Sequence, residues 1–255
     1  MSAAHVLKPA GPEAGALAEV ISTALIVCGV AFVIAMVCIV AALWWKGRRP
    51  LRDAWWLWGG GVILPTLFFG GLLLHSEHRS QGLDDPAPPD ALIVSVTGHL
   101  WWWSLRYEQT PDAPAFVTAN ELRIPVGRPV RLTLASADVI HSVWVPSLGG
   151  KMDMVPGRLN RLTFTADKPG IYRGPCAEYC GTQHAKMVLQ VVAMPAEDFE
   201  RWRRAQAAPI EPPQGLTARK GAALFNERGC AACHAVRGHA EGAREGLGPD
   251  LTHVS

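Results

Sequence analysis

The segment CAEYCGTQHAKM places Cys176, Cys180, His184 and Met187 in one turn-rich loop, and His141 lies upstream in DVIHSVWVP, just after a strand-like run. Two thiolates, two imidazoles and a thioether form a soft donor set, which favours copper over calcium, magnesium or manganese. The count goes further. A single-copper electron-transfer site of the blue kind uses one cysteine with two histidines and a weak methionine, so a second cysteine points to two coppers bridged by both sulfurs. Shared thiolates spread one unpaired electron over both metals and lower the reorganisation each transfer needs. Five side chains leave little room for a substrate, so the chemistry is relay rather than turnover. Two other uses of these residues stay open. A structural zinc on His141, Cys176, Cys180 and His184 has suitable ligand types but leaves Met187 idle. A Cys176–Cys180 disulfide suits an oxidising compartment but leaves both histidines unexplained.

Near the C-terminal end, CAACH offers Cys230 and Cys233 for two thioether links to a heme and His234 as the proximal iron ligand. C-x-x-C-H is the attachment pattern of heme c. A redox-active dithiol is the competing use of the pair, and no strand precedes the motif to support it.

Such sites need elements to hold them. Val20 to Trp45 carries no charge over more than the roughly 20 residues that span a bilayer, and Trp55 to Leu74 is a second such run. Transmembrane helices are therefore expected at about 17–45 and 55–74. The first run is too long for a signal peptide and has no small-residue cleavage pattern after it. Lys46, Arg48, Arg49 and Arg52 crowd the loop between the runs, which places that loop in the cytoplasm and both termini outside. Trp44, Trp45, Trp55 and Trp56 flank it as an interfacial belt would. Cys28 and Cys38 sit inside the apolar run and read as small hydrophobes. Pro65 and its neighbouring glycines are tolerated in a membrane helix.

Beyond a polar, Pro-rich stretch the period changes. ALIVSVTG, FVTANELRIPV, PVRLTLAS, RLTFTA and MVLQVVAM are short runs separated by Pro and Gly, the signature of a small antiparallel sandwich. Phe199 to Gln206 reads as a short helix or tail, AAPIEPPQG as a linker, and LTARKGAALFNERGC as helical. The division expected is a membrane hairpin with linker over 1–90, a sandwich over 91–204, a linker over 205–214 and part of a heme domain over 215–255. Composition agrees with a membrane portion: 49% of residues are hydrophobic and 18% charged. A formal net charge of +2 without a long basic run excludes nucleic acid as a partner.

GHLWWWSLRY, DVIHSVWVPSLGGKMDMVPGRLNR, PGIYRGPCAEYCGTQHAKM and the closing FERW, in this order behind two apolar helices, resemble subunit II of cytochrome c oxidase over roughly residues 17–202. The resemblance implies a mixed fold: a two-helix transmembrane hairpin, a cupredoxin-like β-sandwich and the start of a small all-α cytochrome c domain. It implies that His141, Cys176, Cys180, His184 and Met187 bind the binuclear copper-A centre, with Glu178 adding its backbone carbonyl. The Glu178 carboxylate would help hold magnesium at the boundary with subunit I. Trp101 would be the electron entry point beneath a docked cytochrome c; anchoring at the membrane interface competes for this tryptophan cluster. Trp101 and Trp103 are expected on one strand face, with Tyr107 in the core. The implied partners are subunits I and III, cytochrome c and membrane lipid, in a bacterial-type inner membrane with the copper domain outside. Electrons would pass on to subunit I, where oxygen is reduced to water and protons are moved.

The flanks GAALFNERG and GLGPDL resemble the first half of a small cytochrome c, in which the Pro249 carbonyl would orient His234. A heme on the same chain raises its effective concentration at the copper site. Two departures stand out. No Met follows CAACH to serve as second axial ligand, which leaves His239, His253 or a continuation beyond Ser255, and the sequence is read as a fragment. WWLWGGGVILP also lacks the glutamate that many members carry in the second helix at a proton entry.

Overall fold

A computed structural model describes residues 7–44, 53–81, 88–239 and 247–253. The basic loop residues Lys46, Arg48, Arg49 and Arg52, together with Trp45, lie outside the described residues. The chain divides into two compact units, Gly15–Asp85 on one hand and Met1–Ala14 with Pro86–Ser255 on the other.

Among the described residues, two helices are long and apolar enough to cross a membrane, and both fall mainly in the first unit. α1 spans Pro12–Trp44, whose 33 residues measure about 50 Å at the α-helical rise, longer than a hydrocarbon core requires. The second begins as an α-turn at Asp53–Trp55, widens into a π-helix over Trp56–Ile63 and continues as α2, Leu64–Ser80. The wide turn coincides with Gly59–Gly61 and ends beside Pro65, which has no N–H to donate and crowds the carbonyl a turn back. Thr66 donates its hydroxyl to the Val62 carbonyl at 2.7 Å. Arg79 of α2 pairs with Glu19 of α1.

The second unit is a sandwich. One sheet has the order β3-β2-β1-β5-β8, formed by β1 Leu92–His99, β2 Trp102–Tyr107, β3 Phe116–Ala119, β5 Val130–Ser136 and β8 Asn160–Phe164. The other has the order β4-β10-β9, from β4 Glu121–Pro125, β9 Gly170–Pro175 and β10 Val188–Met194. β6 His141–Trp144 and β7 Lys151–Met154 form a separate ribbon. The sandwich is mixed and not purely antiparallel: β1 pairs in parallel with β5, and β4 with β10. FVTANELRIPV makes two strands because Asn120, at φ 62°, turns the chain from one sheet into the other. Alternation along the strands points Val94, Val96, Leu132, Leu134 and Phe164 into a core shared with Leu122, Ile124 and Val191. Tyr107 is in that core, as expected, its hydroxyl donating to the Arg123 carbonyl at 2.9 Å. α3, Ala196–Ala207, closes one end by burying Phe199 and Ala207 and resting Trp202 on Tyr107 and Phe116.

One addition was not legible in the sequence. Ala10 donates to the Ser147 carbonyl at 2.7 Å and accepts from Asp167 at 2.8 Å, while the Glu13 carboxylate accepts from the Thr165 amide at 3.0 Å, so the segment before the apolar run clips onto the sandwich. After the linker, α4 spans Gly215–Glu227, followed by a 3-10 turn at Cys230–Ala232.

Candidate copper centre and heme attachment site

β9 and β10 form an antiparallel hairpin whose last rung pairs Pro175 with Val188. The loop between them therefore starts at Cys176 and ends at Met187, closed by the Cys176 amide donating to the Met187 carbonyl at 3.0 Å. A 3-10 turn over His184–Lys186 aims His184 back into the loop. The Ala177 amide donates to the Ser142 carbonyl at 3.0 Å, which ties this loop to β6 and brings His141, its first residue, to the two sulfurs. Gly98 of β1 faces the imidazole so closely that a Cβ there would come within 2.8 Å of His141 Cδ2.

All five side chains singled out in the sequence converge. Cys176 Sγ lies 4.0 Å from Cys180 Sγ and 4.0 Å from His141 Nδ1, and Cys180 Sγ lies 3.5 Å from His184 Nδ1 and 3.7 Å from Met187 Sδ. The Glu178 carbonyl is 3.3 Å from Cys176 Sγ. One donor atom each from His141, Cys176 and Cys180 falls within a 4.8 Å circle. The sulfurs are about twice a disulfide bond length apart and the thiols are free. His141, Cys176, Cys180 and Met187 are buried, so water is excluded from most of the donor set.

Electrostatics already favours an ionised pair. Burial is the largest influence and would raise the Cys176 thiol, yet hydrogen bonds with the His141 ring, the Glu178 and Ser142 backbone and Cys180 together outweigh it and hold the thiol below its usual range. Cys180 is pushed upward, first by burial and then by charge on Cys176. Burial would lower the His141 imidazole, but its contacts with Cys176 and Asp138 raise it. A cation bound by both sulfurs would expel these protons.

Asp138 is a further site residue, absent from the ligand set read from the sequence. Its Oδ1 accepts from His141 Nε2 at 2.8 Å and from the Val139 amide at 2.7 Å, and its Oδ2 from the Leu100 amide at 2.8 Å. The carboxylate fixes which ring nitrogen is protonated and turns His141 Nδ1 toward the sulfurs. The three-residue spacing of D-V-I-H was the available signal.

Trp101 lies in the turn between β1 and β2, so strand alternation does not govern it. Half-buried, it donates its indole N–H to the Cys180 carbonyl at 3.0 Å. Trp103 is fully buried, with its ring centroid 5.8 Å from that of His141. Trp102 stacks outside on His99. The Glu178 carboxylate meets Lys151 Nζ at 3.9 Å, and the same ammonium lies 3.2 Å from Asp153.

Residues 111–194 match the family model for the periplasmic domain of cytochrome c oxidase subunit II. Cytochrome c oxidase subunit 2 of Alkalihalophilus pseudofirmus is 38% identical over 172 residues, covering 66% of this chain and 48% of that protein. The Bacillus subtilis protein of the same name is 31% identical over 205 residues, covering 75% and 55% respectively. The chain belongs to the cytochrome c oxidase subunit II family. It spans about half the length of the curated relatives it matches. The solved periplasmic domain of subunit II of cytochrome oxidase from Bradyrhizobium japonicum is 31% identical, with 48% of this chain and 96% of that one covered at a TM-score of 0.44. Membership in the subunit II family implies a copper-A centre, and the His141, Cys176 and Cys180 cluster is where this chain could hold one.

In the second candidate site, the backbone folds tightly at CAACH: Gly229, at φ 77°, opens the 3-10 turn, and His234 donates its amide to the Cys230 carbonyl at 3.0 Å. His234 Nδ1 lies 2.9 Å from the Pro249 carbonyl, which leaves Nε2 for a ligand. Gly248 permits this approach, since a Cβ there would stand 2.9 Å from both the Cys233 carbonyl oxygen and His234 Cε1. Cys230 and Cys233 are exposed. These residues fit a covalently attached heme. His239 and His253, the histidines considered as second axial ligands, are engaged elsewhere, with Nε2 of each facing a backbone carbonyl, Ala222 at 3.2 Å and Ala208 at 3.1 Å.

Proposed function

We propose that this subunit II takes electrons from cytochrome c, free or fused, at a binuclear copper-A centre and hands them to subunit I of a heme-copper oxidase for reduction of oxygen to water with proton translocation. Its ligands are His141, Cys176, Cys180, His184 and Met187, with the Glu178 carbonyl. The observation that carries the proposal is the convergence of two sulfurs, two imidazole nitrogens and a thioether around one buried loop. Two copper ions held by these donors would supply one-electron uptake and release with the electron shared between them. The chain's own part is to hold the donors still. Asp138 locks the His141 tautomer, the β9–β10 rung fixes Cys176 against Met187, and burial keeps out water that would have to reorganise on each transfer.

In this reading Trp101 is the inlet for an external donor, because its half-buried ring is hydrogen-bonded to the backbone of a copper ligand. Cys230 and Cys233 carry a heme c on His234, with Pro249 orienting that ring. Glu178 holds magnesium at the boundary with subunit I, where Lys151 would have to yield. The copper domain lies on the periplasmic side and the hairpin in the cytoplasmic membrane.

The reading is tested on the purified membrane complex by metal and heme analysis with paramagnetic resonance of the oxidised form. Two coppers per chain, an unpaired electron coupled equally to two copper nuclei, and a covalent heme are expected. Zinc, a single isolated copper or activity with quinol alone would overturn it.

A further inference from the structure

The segment bearing CAACH does not simply trail from its Pro-rich linker. The last turn of α3 leaves carbonyls without helical partners, and these carry the negative end of the helix dipole. Two basic side chains from beyond the linker meet this end of the helix, one at a last-turn carbonyl and one at the residue that follows it. Arg237 donates from Nη2 to the Gln206 carbonyl at 2.6 Å, and His253 donates from Nε2 to the Ala208 carbonyl at 3.1 Å. The other side of the Arg237 guanidinium is held inside its own module, with Nε 3.4 Å from Thr252 Oγ1 and 3.6 Å from Asp250 Oδ2. Its backbone N–H also donates to Thr252 Oγ1, at 2.9 Å. The Leu251 amide donates to the Ala235 carbonyl at 2.9 Å. Arg237 therefore stands three residues past His234, while its partner Asp250 follows the Pro249 that orients the His234 ring. One short loop sets both the heme ligand and the contact to α3.

We propose that Arg237 is a latch that seats the heme-attachment module on the copper domain in one fixed pose, over the face made by the end of α3 and the β3–β4 turn. A cavity of about 300 Å3 opens between the two, lined by Asn120, Glu121 and Trp202 on one side and Pro249 and Leu251 on the other. Asn120 exchanges two hydrogen bonds with the Trp103 backbone, both at 2.9 Å, and the Trp103 ring packs on that of His141. The latched face thus stands one hydrogen-bonded residue from a tryptophan that touches the copper site, and it is not the Trp101 turn. The electron-transfer consequence rests on the reading of CAACH as a heme c site; the latch itself does not.

The test compares the native chain with Arg237→Ala in the assembled, purified oxidase. Hydrogen exchange at 206–208 and 251–253 and proteolysis within 209–214 report the latch whether or not heme is present. Loss of a charge-assisted hydrogen bond is expected to speed both about tenfold or more. In heme-loaded protein, photoinduced transfer from heme to copper should be a single phase independent of viscosity in the native chain. In the variant it should become slower and viscosity-dependent, with unchanged heme and copper spectra. If Arg237→Ala impairs assembly, His253→Ala, which removes only the Ala208 contact, should loosen the same amides to a smaller degree. Unchanged exchange and cleavage in the assembled variants would overturn the latch. Native protein without covalent heme would defeat the heme reading, and the exchange arm would still decide the latch.

Discussion

The two candidate redox sites are built in opposite ways. Cys176, Cys180 and Met187 belong to the hydrophobic core, His141 is buried beside them, and all four are at most 6% exposed, so the packing that folds the sandwich also assembles the donor set. Cys230 and Cys233 are exposed, and α4 beside them buries no side chain, with Leu216 87% exposed. The first site is preorganised by the fold. The second leaves its cysteines and the apolar side chains of α4 open to solvent. Damage to the core should therefore disturb copper binding and stability together, whereas damage to the second site should show only in its occupancy.

The largest effect expected is on the first side of this contrast. Leu132→Ala removes a fully buried side chain from β5 and should destabilise the copper domain by about 2–5 kcal/mol, measured by denaturant unfolding of the outer domain. If this variant unfolded as the native protein does, the copper site could not be called a product of core packing.

Next comes Asp138→Asn. An amide keeps one acceptor and gains a donor, so it cannot serve both the Leu100 amide and the pair formed by Val139 and His141. Copper affinity, read by competition with a chelator, should fall about 10–100-fold with the fold intact. An unchanged affinity would mean that packing alone orients His141.

Much of this contrast could be read from residue types. The apolar runs, the strand runs and both ligand motifs announce themselves because each rests on local spacing: an uncharged stretch, alternation, or two cysteines four or three apart. What could not be read depends on distant backbone. Nothing local says that β1 lies parallel to β5, that the Asn120 turn moves the chain between sheets, or that Ala10 and Glu13 clip onto a loop more than 130 residues away. Trp101 misled for a related reason. Strand alternation was applied to a residue that the chain uses as a turn. The seat of Arg237 on α3 was equally hidden, since it joins residues across a linker.

A smaller effect is expected at Gly248. In Gly248→Ala the new methyl would meet the Cys233 carbonyl and the His234 ring, so the Pro249 carbonyl must retreat from His234 Nδ1. Losing this hydrogen bond makes the imidazole a weaker donor. The heme midpoint potential in loaded protein should rise, by the equivalent of about 1 kcal/mol, in a redox titration. A fall or no change would break the assignment of Pro249.

The smallest effect is the most informative about the second site. Leu216→Ala truncates the same kind of side chain as the core variant, but at a position already facing water. Without heme there is almost no apolar burial to lose, and unfolding stability should stay within about 0.5 kcal/mol of the native value. If the α4 face is completed by a bound heme, the same truncation should cost measurably more in heme-loaded protein, because Leu216 is then covered. Thermal unfolding of native and variant chains, each with and without covalent heme, gives four values whose double difference isolates this coverage. A double difference near zero would mean that α4 packs nothing in either state. The exposed leucine would then be ordinary surface, and the contrast would lie between a built site and an independent helix.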